Sequence, residues 1–382
     1  MQPRDLSDNV AYRAGRGIEE VARELGRDPE EFVVLSSNEN PLGPSPAAAD
    51  AVRAAADAVH RYPKASHADL TAAIADRWGV ADVQVWLANG GDGALDYLAR
   101  ATLEPGDAVL VPAPGFAYYP MSARYHHGTV REYRLRRADE YALTADVVLD
   151  AYAGERVVYL TSPHNPTGGR FDLADVERVA AETADETLVV VDEAYAEFAD
   201  APSAAGLLAD RDDVAVLRTF SKAHGLAGLR LGYALVPDEW ADAYARVNTP
   251  FAASEVACRA GLAALEDDEH VERTVELARW GRTYLSAELH APTFESHGNF
   301  VMAAVGEVEG VPDAATVADA AKREGVIVRD CTSFGLPDSV RVTTGTREDV
   351  RTAVDVLNGV LADVGSPAGE ARTDGSTAAT DR

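Results

Sequence analysis

The chain has 382 residues, 47% of them hydrophobic, and its 63 Asp and Glu against 35 Lys and Arg give a formal net charge of −28. A chain of this length can bury a large core, and we expect it to divide into two domains. So acidic a surface repels phosphates and excludes nucleic acid as a general partner, and the lack of an apolar run of membrane-spanning length excludes a membrane protein.

Cysteine content and the amino-terminal residues indicate the compartment. Cys258 and Cys331 are too few for a disulfide framework, which favours a reducing environment. Residues 1–10 lack the hydrophobic stretch of a signal peptide. A cytoplasmic location is therefore expected.

The excess of acidic residues has two interpretations. One is an ordinary solvated surface. The other is adaptation to a salt-rich cytoplasm, where a short Debye length screens the repulsion among like charges. The scarcity of lysine beside abundant Asp and Glu favours this halophilic interpretation. It predicts that the stability of the protein rises when salt is added.

In chain order, the first two thirds alternate between helices and strands. Helical spacing predicts helices over 46–60 and 67–79, and later over 172–183. Apolar runs predict buried strands at 83–88, 108–112, 156–162, 187–192 and 214–219. Near-continuous apolar strands separated by helices are typical of an α/β fold, in which a mostly parallel sheet is covered on both faces.

The last third has a different pattern. Helices dominate over 252–290, and shorter elements follow at 299–305, 313–324, 326–330, 340–344 and 346–363. This order predicts a second, smaller α+β domain. We predict four units: an N-terminal arm with part of the small domain (1–32), a large domain (33–251), a small C-terminal domain (252–363) and a disordered tail (364–382).

Three polar residues follow successive predicted strands. Asn165 lies in SPHNPTGG, Asp192 opens DEAYAEF, and Lys222 lies in RTFSKAHGLAGLRLGY. Alone, Asn165 would be a turn residue before Pro166. The separations of 27 and 30 residues, however, each match one β-α-β unit, and carboxyl ends of parallel strands meet at one edge of a sheet. We expect the three side chains to share that edge.

Lys222 is conspicuous because the chain otherwise uses arginine for positive charge, with only Lys64 and Lys322 besides. A guanidinium stays protonated, whereas a desolvated amine can lose its proton and attack a carbonyl. The alternative is a plain surface charge. Asp192, at the end of a buried strand, needs a cationic partner to offset the cost of its desolvation.

Two further clusters carry weaker signals. The segment NGGDG (89–93) follows a strand and opens a helix, so its backbone N–H groups could approach a phosphate, although a plain turn is the alternative. The pair His126 and His127 has no neighbouring ligand at metal spacing, which favours a surface pair over a metal site. No metal is predicted.

The motifs together resemble a known family. SPHNPTG, DEAYAEF and RTFSKAHGLAGLRLGY are similar to segments of the fold-type I aminotransferases, which use pyridoxal phosphate, and most of all to the histidinol-phosphate aminotransferases. The resemblance runs from SNENPLGPSP (37–46) to VRVTTGTRE (340–348). It implies amino-group exchange between L-histidinol phosphate and 2-oxoglutarate by a ping-pong mechanism, as a step of histidine biosynthesis, in a homodimer with shared active sites.

The resemblance also implies roles for individual residues. Lys222 would hold the cofactor covalently and move the substrate proton, and Asp192 would pair with the pyridine nitrogen. Asn165 and Tyr195 would hydrogen-bond the phenolic oxygen of the ring. The cofactor phosphate would be held by Gly91, Asp92, Thr219, Ser221, Arg230 and, from the neighbouring subunit, Tyr62.

The chain departs from the family pattern at two positions. Where the family usually has a tyrosine stacked on the cofactor, APGFAYY (113–119) has Phe116, which keeps the aromatic face but lacks the hydroxyl. Tyr118 or Tyr119 is expected to take over part of that role. The segment GGDG also lacks the acidic residue that the family has in its fourth position.

For the substrate, the resemblance points to Arg329 in VIVRD and Arg341 in VRVTT. A phosphate ester calls for more than one cation, and bidentate arginine contacts meet that need. The alternative for Arg329 is a surface pair with Asp330. The further substrate contacts implied are Asn165, Tyr62 and Asn40.

Three other activities stay open on the sequence. An aromatic amino acid aminotransferase would share these motifs, and so would a threonine-phosphate decarboxylase of the same superfamily. The third alternative is a scaffold that binds without catalysis. The segments after Lys222 and around 326–330 favour the aminotransferase over the decarboxylase.

Overall fold

The computed structural model describes residues 18–64 and 67–365. The strands are β1 Val33–Leu35, β2 Val85–Asn89, β3 Ala108–Ala113, β4 Thr129–Arg134, β5 Val157–Thr161, β6 Leu188–Asp192, β7 Val214–Thr219, β8 Leu231–Leu235, β9 Phe300–Ala303, β10 Val326–Asp330 and β11 Val340–Thr343. The α-helices are α1 Ile18–Leu25, α2 Pro46–Ala55, α3 Ala68–Trp78, α4 Gly90–Thr102, α5 Tyr118–Tyr125, α6 Ala145–Leu149, α7 Leu173–Glu182, α8 Tyr244–Val247, α9 Glu255–Leu265, α10 Asp268–Glu288, α11 Ala314–Arg323 and α12 Arg347–Gly365.

The larger sheet of the described residues has seven strands in the order β2-β8-β7-β6-β5-β3-β4. From β7 to β4 all neighbours run parallel, whereas β8 is antiparallel to both β7 and β2. The prediction of a mostly parallel sheet covered by helices is confirmed. The strands β5, β6 and β7, which precede the three polar motifs, are neighbours in this sheet.

Both faces of the larger sheet are buried, which explains the continuous apolar runs. Side chains alternate between faces along a strand. On β7, Val214 and Val216 enter a core shared with α7 and α9, whereas Ala215 and Leu217 enter a core shared with α4. The direction of a β7 side chain therefore follows from whether its number is odd or even.

The smaller sheet of the described residues has the order β1-β10-β11-β9. Only β1 is parallel to its neighbour there, β10, while β10-β11 and β11-β9 are antiparallel. Its core lies against α10, α11 and α12. Although we assigned 33–251 to the large domain, Val33–Leu35 pairs in this smaller sheet. The residue limits of the domains otherwise stay a prediction.

Some elements were not predicted. The edge strand β4 has the sequence TVREYR, whose exposed charged residues hide the strand pattern. Strand β8 begins at the end of the glycine-rich segment that contains Lys222, and glycine hides the strand pattern there. Of the predicted disordered tail (364–382), residues 364 and 365 belong to α12, and the remainder lies outside the described residues. Among the helices of the described part, none is both long enough and apolar enough to cross a membrane.

Candidate active site

A cavity of about 810 Å³ opens at the carboxyl ends of β5, β6 and β7. Asn165, Asp192 and Lys222 all line it, together with Arg329 and Arg341 from the smaller sheet. The structure thus brings together the three motifs whose spacing suggested one edge of a sheet. The small domain supplies the opposite wall.

Lys222 follows β7 and turns back toward the amino-terminal segment. Its Nζ donates a hydrogen bond to the carbonyl oxygen of Ser37 at 3.2 Å and lies 5.6 Å from the ring centre of Tyr195. Gly225 has φ +69°, and a Cβ there would lie 2.2 Å from the carbonyl oxygen of Gly43. Only glycine permits this approach, which packs the lysine loop against the segment before α2.

Asp192 is a buried carboxylate, 5% exposed, at the end of β6. Its Oδ2 accepts a hydrogen bond from the Tyr119 hydroxyl at 2.6 Å, and its Oδ1 accepts one from the Ala194 backbone at 3.0 Å. Burial raises the pKa of Asp192 to about 6, and nearby Asp92 and Glu193 add to the rise. No Lys, Arg or His within the described ranges forms an ion pair with it. The site therefore fits a cationic ligand group.

A second feature of the cavity is an anion cradle at the start of α4. The helix begins at Gly90, and Asn89 before it makes no side-chain capping bond among the described residues. The Arg230 guanidinium lies over Gly90, where a Cβ would be 2.5 Å from Nη2, and Arg230 Nη2 pairs with Asp92 at 3.2 Å. A helix amino terminus and a guanidinium both favour an anion. Their convergence fits a phosphate group.

Glycine also lets strand β8 approach this cradle. A Cβ at Gly232 would lie 2.6 Å from the Gly90 carbonyl carbon. Beside it, the Thr219 hydroxyl donates to Ser221 Oγ at 2.9 Å, and the Ser221 backbone donates to Thr219 Oγ1 at 3.1 Å. Both hydroxyls line the cavity. The predicted phosphate-binding residues of this chain's own subunit, Gly91, Asp92, Thr219, Ser221 and Arg230, thus lie together.

Tyr195 and Asn165 are held by residues of the small sheet and the amino-terminal segment. The Asn38 amide donates to the Tyr195 hydroxyl at 3.1 Å, and Thr343 donates to Asn38 Oδ1 at 2.9 Å. Asn165 Oδ1 accepts a hydrogen bond from Arg341. Sequence reasoning missed Asn38, although it lies in the SNENP segment that carried part of the resemblance.

Arg329 and Arg341 are directly opposite each other on the antiparallel strands β10 and β11. Arg341 is buried and donates to the Ser36 carbonyl oxygen at 2.7 Å, with its guanidinium 5.3 Å from the Phe300 ring centre. Arg329 donates to Ser333 Oγ at 3.0 Å. Like charges directly opposite on a sheet destabilise it. The pair is therefore suited to a ligand that carries more than one negative charge.

The alternative partner of Arg329 has other contacts. The Asp330 carboxylate accepts hydrogen bonds from the backbone of Thr332 at 2.8 Å and from its hydroxyl at 2.6 Å. This local turn accounts for Asp330. Arg329 itself lines the cavity.

The aromatic residues of APGFAYY point in three directions. Phe116 lines the cavity and meets Tyr119 edge-on, with ring centres 5.5 Å apart. Tyr118 donates to Asp96 on α4 at 2.9 Å, so its hydroxyl is engaged away from Asp192. Tyr119 is the one whose hydroxyl reaches Asp192. That Phe116 stacks on the cofactor stays a prediction.

Two predicted substrate contacts do not line this cavity. Tyr62 is 85% exposed and packs on Phe251, with ring centres 5.0 Å apart. The Asn40 amide donates to the Ala223 carbonyl oxygen at 2.9 Å and to Thr274 Oγ1 at 3.1 Å. These bonds fasten the amino-terminal segment to the lysine loop and to α10.

His126 and His127, the histidine pair noted in the sequence, do not line the cavity. The ring of His126 is 3.7 Å from Asp96 Oδ1. Within residues 18–64 and 67–365, no group of three or more His, Cys, Asp and Glu has the arrangement of a metal site.

The residues present fit pyridoxal phosphate. A lysine amine, a buried carboxylate and an anion cradle lie around one cavity, and each matches one chemical group of that cofactor: its aldehyde, its ring nitrogen and its phosphate. The family model "Aminotransferase class I and II" matches residues 30–357. The chain belongs to this family, and it is a pyridoxal-phosphate-dependent aminotransferase.

Similar proteins of known name indicate which family of aminotransferases the chain belongs to. The histidinol-phosphate aminotransferase of Halobacterium salinarum is 68% identical over 94% of this chain and 99% of its own, and that of Haloarcula marismortui is 66% identical over 95% and 99%. Within the class, the chain therefore belongs to the histidinol-phosphate aminotransferase family, as the motifs indicated. These relatives come from halophilic archaea, in agreement with the halophilic interpretation of its acidic composition.

Solved structures of aminotransferases have the same fold as this chain. A Sinorhizobium meliloti histidinol-phosphate aminotransferase in complex with pyridoxal-5'-phosphate has a TM-score of 0.82 at 26% identity, covering 92% of this chain and 96% of that one. A Thermus thermophilus aspartate aminotransferase double mutant has a TM-score of 0.80 at 25% identity, covering 94% and 100%. The fold-type I prediction is confirmed.

Proposed function

We propose that this enzyme transfers the amino group of L-histidinol phosphate to 2-oxoglutarate, giving imidazole-acetol phosphate and L-glutamate, as a step of histidine biosynthesis. The observation that carries the proposal is the cross-strand pair Arg329 and Arg341, which lies on the cavity that also contains Lys222. The names of the relatives agree with this choice of substrate.

Each end of the cavity has a role in the proposal. Arg230, Thr219 and Ser221 hold the cofactor phosphate at the start of α4, and Asp192 pairs with the ring nitrogen. When bound, pyridoxal phosphate supplies an electron-withdrawing ring that stabilises charge at the amino-bearing carbon of the substrate. Lys222 holds the cofactor covalently and then moves the proton at that carbon. Tyr195 and Asn165 hydrogen-bond the phenolic oxygen.

The arginine pair grips the anionic end of each substrate. Histidinol phosphate carries a phosphate ester where amino acids carry a carboxylate, and two guanidinium groups match its charge and its oxygen atoms. Glutamate and 2-oxoglutarate offer two carboxylates to the same pair. One pocket then serves both half-reactions in turn. The mechanism is therefore ping-pong, with the first product leaving before the second substrate binds.

The proposal includes a homodimer. Tyr62 is largely exposed and lies away from the cavity of its own chain, beside a second exposed aromatic residue, Phe251. In a dimer, Tyr62 reaches the cofactor phosphate in the neighbouring subunit and takes part in binding the substrate there. Each active site is then complete only with its partner.

Steady-state assays test the substrate assignment. We expect kcat/KM with 2-oxoglutarate as acceptor to be highest for histidinol phosphate and much lower for histidine, phenylalanine and tyrosine, because only the first offers a phosphate. A higher value for phenylalanine or tyrosine would make the protein an aromatic aminotransferase. Release of carbon dioxide from threonine phosphate without amino transfer would make it a decarboxylase.

A further inference from the structure

A buried charge cluster lies behind the active site, on the face of the larger sheet away from the cavity. Leu217 and Thr219 of β7 line the cavity, so Arg218 between them points to the opposite face. Its Nη1 donates to Glu193 Oε2 and its Nη2 to Glu197 Oε1, both at 2.6 Å. We call Arg218, Glu193 and Glu197 the charge cluster.

The charge cluster is almost sealed from water. The side chains of Arg218 and Glu193 are 6% and 5% exposed, and that of Glu197 is 14% exposed. The Arg218 guanidinium also lies 4.4 Å from the ring centre of Trp78, at the end of α3. Glu193 accepts two more hydrogen bonds, from Ser203 Oγ at 2.6 Å and from the Ala204 backbone at 2.7 Å.

The three members stand next to the functional residues in the chain. Glu193 follows Asp192, and Glu197 comes two residues after Tyr195. Arg218 precedes Thr219 on the strand that leads to Lys222. One guanidinium therefore ties the segment that carries the acid and the tyrosine to the strand that carries the lysine.

The charge cluster is a poor means of stabilising the fold alone. It combines two carboxylates with one guanidinium, and its buried atoms Glu197 Oε2 and Arg218 Nε have no hydrogen-bond partner among the described residues. Buried ion pairs often contribute no more stability than well-packed apolar residues would.

Glu197 and Arg218 nevertheless keep their charges. Burial alone would raise the pKa of Glu197, but Arg218 and then His224 outweigh it and leave that pKa below its usual range. Burial would likewise lower the pKa of Arg218, and Glu197 and Glu193 outweigh it and hold that pKa above its usual range. Because the two guanidinium nitrogens of Arg218 bind one glutamate each, the contact fixes the orientation of the groups as well as their separation.

We propose that Arg218 and Glu197 are positioning residues, which hold Asp192 and Tyr195 at the correct distance from Lys222 through the fork between Glu193 and Glu197. The inference rests on the proposed function, since it assigns the alignment of cofactor-binding groups to a contact that touches neither cofactor nor substrate. Displacing the segment of Asp192 by a fraction of an ångström changes how the ring nitrogen is paired. The same displacement leaves Arg329 and Arg341 of the smaller sheet, the proposed substrate contacts, in place.

The test compares two glutamates that both form a salt bridge with an arginine, Glu197 with its side chain 14% exposed and Glu155 with its side chain 1% exposed. Glu197→Gln keeps the shape of the charge cluster and removes one charge, and Arg218→Lys keeps the charge and removes the fork. The control is Glu155→Gln, because Glu155 is also buried and pairs with Arg131 at 2.8 Å. It lies just before the amino end of β5, whereas the cavity lies at the carboxyl ends of the parallel strands. Each protein is loaded with pyridoxal phosphate and its thermal unfolding is recorded.

Two readouts separate positioning from stability. The first is the pH titration of the absorbance band of the lysine-bound cofactor, which needs no amino donor. We expect its midpoint to shift by about half a pH unit or more in Glu197→Gln and Arg218→Lys. The second is turnover, where we expect kcat to fall roughly 10- to 100-fold and KM for the donor to change by less than about threefold.

The control decides the interpretation. Glu155→Gln is expected to lower the melting temperature while leaving the titration midpoint and kcat unchanged. Equal titration midpoints and equal kcat in Glu197→Gln, Glu155→Gln and the parent would overturn the proposal. If Arg218→Lys gives no folded protein, Glu197→Gln decides on the same criteria. A parent enzyme that does not use histidinol phosphate would refute the proposed substrate, while the titration would still report on positioning.

Discussion

The two arginine sites of the cavity differ in their surroundings. Arg230, with its side chain 45% exposed, lies at a helix amino terminus and already has a carboxylate partner in Asp92. Arg341 is 5% exposed and stands opposite another arginine, Arg329. The first site is electrically balanced and supplemented by backbone N–H groups. The second places two guanidinium groups directly opposite each other, which favours the binding of an anion.

This difference matches two kinds of ligand. A balanced site built on backbone groups suits a phosphate that stays bound through many turnovers. A like-charge pair is stabilised by an anion and can form bidentate contacts with different ligands that present oxygens in pairs, which suits substrates that exchange. The comparison predicts that the two sites can be disabled separately, with Lys222 between them needed by both.

The largest effect is expected from Lys222→Arg. The variant keeps a positive charge but offers no amine that can bond to the cofactor or move a proton, so kcat should fall by on the order of 10⁴-fold. Lys64→Arg is the matched control and should keep full activity, because Lys64 pairs with Asp69 on the surface. Borohydride reduction followed by peptide mapping should label Lys222. A label on Lys64 or Lys322 would refute the assignment.

The next effect separates the two arginine sites. Arg329→Ala and Arg341→Ala should each cost roughly 2–5 kcal/mol in kcat/KM for both histidinol phosphate and glutamate, while cofactor stays covalently bound at Lys222. Arg230→Ala should instead weaken cofactor binding. Absorbance titration with pyridoxal phosphate and steady-state kinetics measure the two quantities.

A matched control for the substrate arginines is Arg351→Ala on α12. Arg351 belongs to the same small domain, but its guanidinium lies 5.8 Å from the ring of Trp280, on the outer helices. It should change neither quantity. If Arg329→Ala used histidinol phosphate as well as the parent does, the phosphate-reading pocket would be wrong.

Asp192→Asn removes the buried acid of the cavity and leaves both arginine sites intact. Because burial raises the pKa of Asp192 to about 6 from 3.8, the folded protein binds this proton more tightly than the unfolded chain. Without cofactor, stability from this group is present below about pH 4 and is lost as the pH rises to about 6, a loss of about 3 kcal/mol.

The cofactor-free Asp192→Asn protein should therefore be more stable than the parent at pH 7 by up to about 3 kcal/mol. The same variant loaded with cofactor should turn over about 10²-fold more slowly than the loaded parent. Denaturant unfolding at pH 4 and pH 7 measures the first and kinetics the second. Asp213→Asn, which breaks the ion pair with Arg211 away from the cavity, should give no such gain. A cofactor-free Asp192→Asn protein that is no more stable than the cofactor-free parent at pH 7 would contradict this assignment of the buried acid.

The sequence predicted local features far better than contacts between distant residues. Strands β6 and β7 were predicted because both of their faces are apolar, and the edge strand β4 was missed because its exposed charges interrupt that pattern. The meeting of Asn165, Asp192 and Lys222 followed from their spacing. Each of these predictions depends on neighbouring residues or on one repeated unit.

The supporting contacts could not be predicted in this way. The Tyr119 hydroxyl bonds to Asp192 across 73 positions, and the Asn38 amide bonds to Tyr195 across 157. Such pairs depend on how the helices and the two sheets pack, and no periodicity encodes them. The same holds for the charge cluster, whose members look like ordinary charged residues in the chain.

The smallest effect is expected from a change at Tyr62. This change tests whether the phosphate site at Arg230 and the start of α4 is complete within one subunit. Tyr62 lies away from its own cavity and is largely exposed, so in the proposed dimer its hydroxyl donates to the cofactor phosphate of the neighbouring subunit. Losing one hydrogen bond to a charged group costs roughly 1.5–3 kcal/mol. Tyr62→Phe should weaken cofactor affinity accordingly and leave the fold unchanged.

Mixed dimers show from which chain the hydroxyl comes. Subunits carrying both Tyr62→Phe and Lys222→Ala are combined with parent subunits, so that each mixed dimer has one working lysine, which faces the altered Tyr62 of its partner. If Tyr62 acts across the interface, that working site should bind cofactor as weakly as the Tyr62→Phe homodimer. Tyr125→Phe, at another partly exposed tyrosine, is the control and should have no effect. Parent-like affinity in the mixed dimer would place the Tyr62 contact within one subunit and remove the reason for a shared site.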